Sequence, residues 1–220
     1  MTSTTRTPTI PRSRPFNLIV AGVGGQGILL AARLIAQAAT FDGLTVSVGE
    51  TFGASRRGGT VLSHIRLSKP KIKGSSLRKI PLTGSLVPLN MVDVVIGLEP
   101  LEALRAANYL NPKSQVLLNE HLQPPVEVIA SKAVSPSFSK IKARLTKLTA
   151  KLWTVNAFDL ASQAGEVRTA NTVMIGALAA LQITPITQTA FETVLQSQFP
   201  IKAIQTMNTK AFQLGLKAFS

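Results

Sequence analysis

Two spacings of apolar residues alternate along this chain. Phe16–Ala21 is a short continuous apolar run bounded by Pro15 and Gly22, which predicts a buried strand. From Ile28 the spacing becomes helical: Ile28, Leu30, Ala31, Leu34 and Ile35 are apolar, the pattern holds through Ala39, and Asp42-Gly43 breaks it. Thr45–Gly49 is a second β-rich run, ending at Glu50. Strand, glycine turn, helix and strand in this order predict a βαβ unit with parallel strands and a right-handed crossover. Thr60–Leu67 alternates apolar and polar residues, which predicts a half-exposed strand. Val92–Leu98 and Gln115–Asn119 read as further buried strands, and Trp153–Ala157 as one more short one.

The helices carry their own punctuation. Glu99-Pro100 opens Leu101–Leu110, with acid in the first turn and proline where its missing N–H costs nothing. Asn111-Pro112 ends it. Ile141–Leu152 reads as a basic amphipathic helix, and Phe158–Ala164 as a helix stopped by Gly165. Ala170–Leu181 is apolar nearly all round, hence buried. Pro185 separates it from Thr189–Gln198, and a last amphipathic helix runs from Pro200 through Phe219. Lys69–Gly84 and the surroundings of Pro124-Pro125 read as loops. The expected class is α/β: a Rossmann-like doubly wound, mostly parallel sheet with a helical C-terminal third. One domain spans 16–220, and residues 1–15, with three arginines, three prolines and no acid, are expected to form a disordered tail.

Composition narrows the choices. At 220 residues and 45% hydrophobic content, the chain can bury a sizeable core. No apolar run reaches the ~18 residues that span a bilayer, and no secretory core is present, so no membrane role and a cytoplasmic location are expected. Cysteine is absent, so the chain forms no disulfide and holds no thiolate-ligated iron–sulfur cluster. With only His64 and His121, a histidine-rich zinc site is not expected either. The net charge is +14, concentrated at Lys69–Lys79 and from Lys132 to Lys151. Such surfaces attract nucleic acid, a phosphorylated cofactor or an acidic protein, and a plain solvated face weighs equally. Aromatics are 5% and no nucleic-acid-reading motif is visible, so nucleic acid is not an expected partner.

The candidate chemistry starts at GVGGQG, residues 22–27. Gly22, Gly24 and Gly27 form G-x-G-x-x-G between a strand and a helix. In that motif the first glycine makes the turn, the second admits a phosphate, and the third lets helix and sheet pack closely. A dinucleotide site also wants an acid at the end of the second strand. Glu50 stands near that place, 23 residues past Gly27, but runs into an arginine–glycine loop. Gly25 weakens the first helical turn, and Gln26 puts an amide where phosphates would arrive. Spacing alone leaves an NAD(P)-dependent reductase, a non-NAD role and a basic polyanion-binding module open.

Three longer motifs resolve this by resemblance. GVGGQG at 22–27, ETFGASRRGGTVLSHIRLS at 50–68 and NTVMIGALAAL at 171–181 are supported by VDVVIGLEPLEALR at 92–105 and FPIKAIQTMNTKAFQLG at 199–215. Together they resemble the gamma-type domain of 2-oxoacid:ferredoxin oxidoreductases, in particular the small (beta) subunit of the indolepyruvate enzymes. The resemblance implies a subunit that is inactive alone and completes the active site of a large partner. That partner would carry thiamine diphosphate, Mg and the iron–sulfur clusters. The complex would decarboxylate a 2-oxoacid, reduce ferredoxin and deliver the acyl group to coenzyme A, with coenzyme A at the subunit interface. Relatives often carry His where Phe52 stands and Gln where Arg56 stands, whereas Arg57-Gly58-Gly59 matches.

The expected ligand- or partner-facing residues are therefore Gly22, Gly24, Gly25, Gln26, Gly27, Glu50, Ser55, Arg57, Gly58 and Gly59. Arg57 is expected to clamp an anion or contact the partner, because its planar fork suits carboxylate or phosphate. Ser55 is a candidate anion donor without a base to make it a nucleophile. Glu50 reads as a ligand contact or as an ion-pair partner of Arg57. Asn171 reads as an N-cap, Trp153 as core, His64 as a packed or exposed strand residue and His121 as a minor functional candidate. The two loops are expected to face each other at the carboxyl ends of the strands.

Overall fold

A computed structural model of the chain describes residues 10–11, 14–53, 58–69, 82–123 and 136–220. Strand β1 is Phe16–Val23, followed by helix α1, Ile28–Phe41. β2 is Thr45–Phe52, β3 is Thr60–Ser68 and β4 is Val94–Gly97. Helix α2, Pro100–Arg105, runs into a 3-10 turn at Ala106–Tyr109, and β5 is Gln115–Asn119. Then come α3 at Phe138–Leu148, β6 at Lys151–Val155, α4 at Ala157–Ala164 and a second 3-10 turn at Val167–Thr169. Three helices close the described chain: α5, Ala170–Leu181; α6, Gln188–Gln198; and α7, Lys202–Lys217. None of the described helices is long and apolar enough to cross a membrane.

The six strands form one sheet in the order β2-β3-β1-β4-β5-β6. β1, β4, β5 and β6 pair in parallel, whereas β3 is antiparallel to both β1 and β2. The expected βαβ unit is thus corrected. β1 and β2 point the same way, but β3 lies between them and they do not pair. β3 is also not half-exposed, since all of Val61–Ser68 is buried. Its polar alternation meets a covering segment instead of water. Arg66 donates from Nε to Asn17 Oδ1 at 3.2 Å, and from Nη1 to the carbonyls of Thr83 at 2.7 Å and Gly84 at 2.9 Å. His64 Nδ1 accepts from the Val87 amide at 3.3 Å, and its ring meets Tyr109 edge-on at 5.3 Å. Burial holds the His64 pKa below its ordinary value, favouring the uncharged ring.

Both faces of the sheet are covered. Leu18, Val20, Ile65, Val94, Ile96 and Leu117 face the side packed by α1 and α4–α7. Ile19, Ala21, Leu62, Val95, Val116 and Leu118 face the side packed by α2 and α3. In α3, Ile141 and Leu145 are fully buried while Lys140, Lys142, Arg144 and Lys147 are exposed, as the basic amphipathic pattern requires. Trp153 is half-buried at the core's border, with Lys151 Nζ 4.8 Å above its ring. Two described points of the N-terminal stretch are anchored. Ile10 is buried in the core, and Arg14 binds Asp93 through Nη1–Oδ2 at 2.7 Å and Nη2–Oδ1 at 2.5 Å. Of the basic stretch at 69–79, only Lys69 falls among the described residues.

Candidate functional site

β1 and β4 are parallel neighbours whose following helices lie on opposite faces. The crevice beyond their carboxyl ends is a topological switch point, the usual ligand site of open α/β sheets. Three loops edge it: Gly24–Gly27 after β1, Leu98-Glu99 after β4 and Glu120–Gln123 after β5. Gly58 and Gly59, just before β3, add to it.

The two glycine loops meet as expected, by direct backbone contact. Gly24 N donates to Gly59 O at 2.9 Å, and Gly58 N donates to Gly24 O at 3.3 Å. Gln26 folds back over its own turn: Oε1 accepts from Val23 N at 2.9 Å, while Nε2 donates to Gln123 Oε1 at 3.2 Å. Gly22 makes room for this, since a Cβ there would stand 2.7 Å from Gln26 Oε1. Gly25, exposed with φ 111°, is the open tip of the loop. Ser55, Arg56 and Arg57 lie outside the described residues.

Gly27 has φ 76°, and a Cβ on it would overlap the side-chain amide of Asn171. Its close approach is therefore to α5. Asn171 Nδ2 donates to Gly27 O at 3.3 Å. This corrects the N-cap expectation for Asn171: the 3-10 turn at Val167–Thr169 leads straight into α5, so Thr169 is the capping position and Asn171 lies inside, buried. Gly27→Ala is expected to cost about 2 kcal/mol, from positive φ plus the clash. In an Asn171→Ala background the clash disappears and about half of that cost should remain. A double-mutant cycle by urea unfolding checks this, and strict additivity would show that the two residues do not meet.

Glu50 is not at a strand end. β2 continues to Phe52, and Glu50 sits exposed within it, opposite Ser63 of β3. With β3 interposed, β2 stands two strand spacings, roughly 10 Å, from β1. The place beside β1 that a ribose-binding acid would need is taken by an antiparallel strand. The Gly24 amide, which would approach a pyrophosphate, is spent on Gly59. The fingerprint makes a sealed turn between loops, and NAD(P) loses its geometric support.

Sequence reasoning missed the most unusual group of the crevice. Glu99 is completely buried and caps α2, with Oε2 accepting from Glu102 N at 2.9 Å and Oε1 accepting from Gln123 N at 3.3 Å. Burial pushes its pKa up to about 7, neighbouring Glu102 adds to the rise, and the backbone N–H bonds oppose it. Glu102 is buried too, its Oε1 accepting from Arg105 Nη1 at 2.7 Å, and the same Nη1 reaches Thr60 Oγ1 at 3.3 Å. Asn119 ties β5 to its surroundings, donating to Leu98 O at 3.0 Å and accepting from Ala157 N at 3.1 Å. His121 stacks on Phe158 with centroids 4.2 Å apart. The Glu-Pro pair was readable only as a helix start. Nothing local marks its carboxylate as the link between the α2 cap and the 120–123 loop.

Fold and crevice together define a Rossmann-like α/β protein whose switch point is a hydrogen-bonded junction of loops. Residues 17–218 match the pyruvate ferredoxin/flavodoxin oxidoreductase family, and the chain belongs to it. It is 37% identical over 206 residues to the indolepyruvate oxidoreductase subunit IorB of Pyrococcus horikoshii, covering 93% of this chain and 96% of that one. It is 27% identical to the ketoisovalerate oxidoreductase subunit VorA of Methanothermobacter thermautotrophicus, covering 89% of this chain but 35% of that longer one. Its fold is similar to the gamma subunit of a keto/oxoacid ferredoxin oxidoreductase from Geobacter sulfurreducens, with TM-score 0.61, 22% identity and coverage of 92% and 96%.

Proposed function

We propose that this chain is the small subunit of a cytoplasmic, thiamine diphosphate-dependent 2-oxoacid:ferredoxin oxidoreductase of the indolepyruvate type. The observation that carries the reading is the nearly end-to-end match to an indolepyruvate oxidoreductase subunit. A chain without cysteine has no thiolates for an iron–sulfur cluster, and the described residues hold no group of three His, Asp or Glu suited to a metal. In this reading clusters, Mg and thiamine diphosphate belong to the large partner subunit. The thiamine cofactor, when bound there, supplies the electron sink that decarboxylation of a 2-oxoacid needs.

What this chain adds is surface. The Gly24–Gly27 and Gly58-Gly59 loops are braced against each other and form a closed wall of the crevice. In this reading Ser55 and Arg57, between β2 and β3 in sequence, supply the side chains that bind an anion of coenzyme A or of the partner. Glu99 and Gln26 hold the crevice loops in register through Gln123. The whole excludes water from the partner's active site.

Co-expression with the large subunit tests this. The purified pair should reduce a viologen dye with an arylpyruvate and coenzyme A, and each chain alone should be inactive. A pair without 2-oxoacid-dependent dye reduction, or an isolated chain that binds NADH saturably, overturns the reading.

A further inference from the structure

Beside the crevice, at the edge of the sheet, lies a groove of about 590 Å³ that none of the interactions above uses. Its apolar lining is Leu29, Ala32 and Ala36 of α1 with Val48 of β2, and Arg33 and Glu50 stand on its rim. Leu29 is 43% exposed and Val48 40%. Two residues beyond Glu50, Phe52 continues the same face of β2, 50% exposed. The opposite face is covered, because a Cβ on Gly49 would meet Ser85 and Leu86. β2 is the outermost strand, so one of its two hydrogen-bonding edges has no strand beside it among the described residues.

This is not how an exposed sheet edge is ordinarily protected. Native edges are short, charged or bulged, and long flat apolar ones invite another strand. The opposite edge, β6, follows that rule: five residues, opened by exposed Lys151. β2 has eight residues, one charge and alternating Val48 and Phe52. Edge and groove together have the form that strand addition uses, in which backbone hydrogen bonds give affinity and pockets for alternate side chains give specificity.

We propose that the α1/β2 groove seats the larger partner subunit, which adds an extended segment along β2 and drops apolar side chains between Leu29 and Val48. This rests on the functional reading above. Two observations choose the occupant. In VorA the matching region is 35% of a longer chain, whereas IorB of Pyrococcus horikoshii is matched over 96% of its length, so among the relatives the domain occurs both within a longer polypeptide and as a separate one. A domain that occurs both ways needs a lasting apolar contact surface. A second copy is disfavoured by charge, since it would bring +14 against +14, while the groove itself carries one cation and one anion and repels neither sign. The inference divides the surface: the edge groove holds the partner and leaves the crevice to face the reacting molecules.

The test measures binding of the purified large subunit to the immobilised full chain. Val48→Arg and Phe52→Arg should each weaken the complex by about tenfold or more. Leu29→Arg should do the same from the helix side, should a strand variant fold poorly. Leu148→Arg, an exposed apolar site on the opposite face of the sheet, should leave affinity unchanged. Thermal unfolding of each isolated variant confirms that it folds. If the wild-type chains form a complex and all three groove variants bind equally well, the groove inference is overturned and the functional reading stands. If the wild-type chains do not associate, the functional reading itself fails. Self-association of the isolated chain that Val48→Arg abolishes assigns the groove to a second copy and also overturns the inference.

Discussion

Gly176→Ala should destabilise the isolated chain by about 3 kcal/mol, lowering its melting temperature by roughly 6–12 °C. Helix propensity alone gives the opposite sign, since alanine in a helix interior is worth about 1 kcal/mol over glycine. The difference lies in where α5 and α7 cross. A Cβ on Gly176 would collide with the carbonyl of Phe212 and approach Leu216 N to 3.1 Å. Reciprocally, a Cβ on Gly215 would collide with the carbonyl of Val173 and stand 2.9 Å from Ala177 N. Each glycine meets the other helix's backbone, so no rotamer change makes room and the helices must separate. Nine of the twelve residues of α5 are buried, so separation would loosen the core on that face. Gly215→Ala should behave alike. The double variant should cost less than the sum, because one separation relieves both clashes. A rise in melting temperature for either single variant would show that the crossing is not backbone-tight.

The glycines in α5 and α7 also show what a single sequence exposes and what it hides. Ala170–Leu181 is legible as a buried helix because it is apolar on every side, and the structure has it at those bounds. That Gly176 faces Gly215 is a pairing between distant segments, which periodicity does not encode. The same division holds in the sheet. Phe16–Ala21 and Gln115–Asn119 are legible as buried strands because they are continuous apolar runs. β3 misleads because Ser63, His64, Arg66 and Ser68 suggest a wet face, yet all four are buried, with Arg66 and His64 bonded to the covering 82–87 segment. Insertion of β3 between β1 and β2 is also a long-range choice, and it is what removes Glu50 from the crevice. The expectation that the two glycine loops face each other at the strand ends holds where Gly24 meets Gly58 and Gly59. Glu99 stayed hidden because burial of a carboxylate depends on the 120–123 loop, far away in sequence.

Glu99 should make stability fall as pH rises. Its pKa stands at about 7 in the fold against an ordinary value of 4.5, so between those values the folded chain keeps a proton that the unfolded chain releases. The stability Glu99 contributes is full below about pH 4.5 and is lost as pH rises through 7. The span corresponds to roughly 3 kcal/mol. The charged and titratable groups around it are Glu102 on the same helix, with Arg105 bonded to Glu102, and His121 on the loop whose Gln123 amide Glu99 holds. His64 titrates in an overlapping window with the opposite sign, because its lowered pKa removes stability as pH falls. The wild-type curve alone is therefore blunted, and the difference between wild type and Glu99→Gln isolates the carboxylate. Urea unfolding at pH 5 and pH 8 should show Glu99→Gln gaining on wild type by roughly 3 kcal/mol between the two. A difference that stays constant with pH would mean that Glu99 ionises normally. If the gain appears, Glu99 is half-ionised near neutral pH while it holds the Gln123 amide. The register of the 120–123 loop, and through Gln123 and Gln26 that of the glycine turn, then depends on one proton.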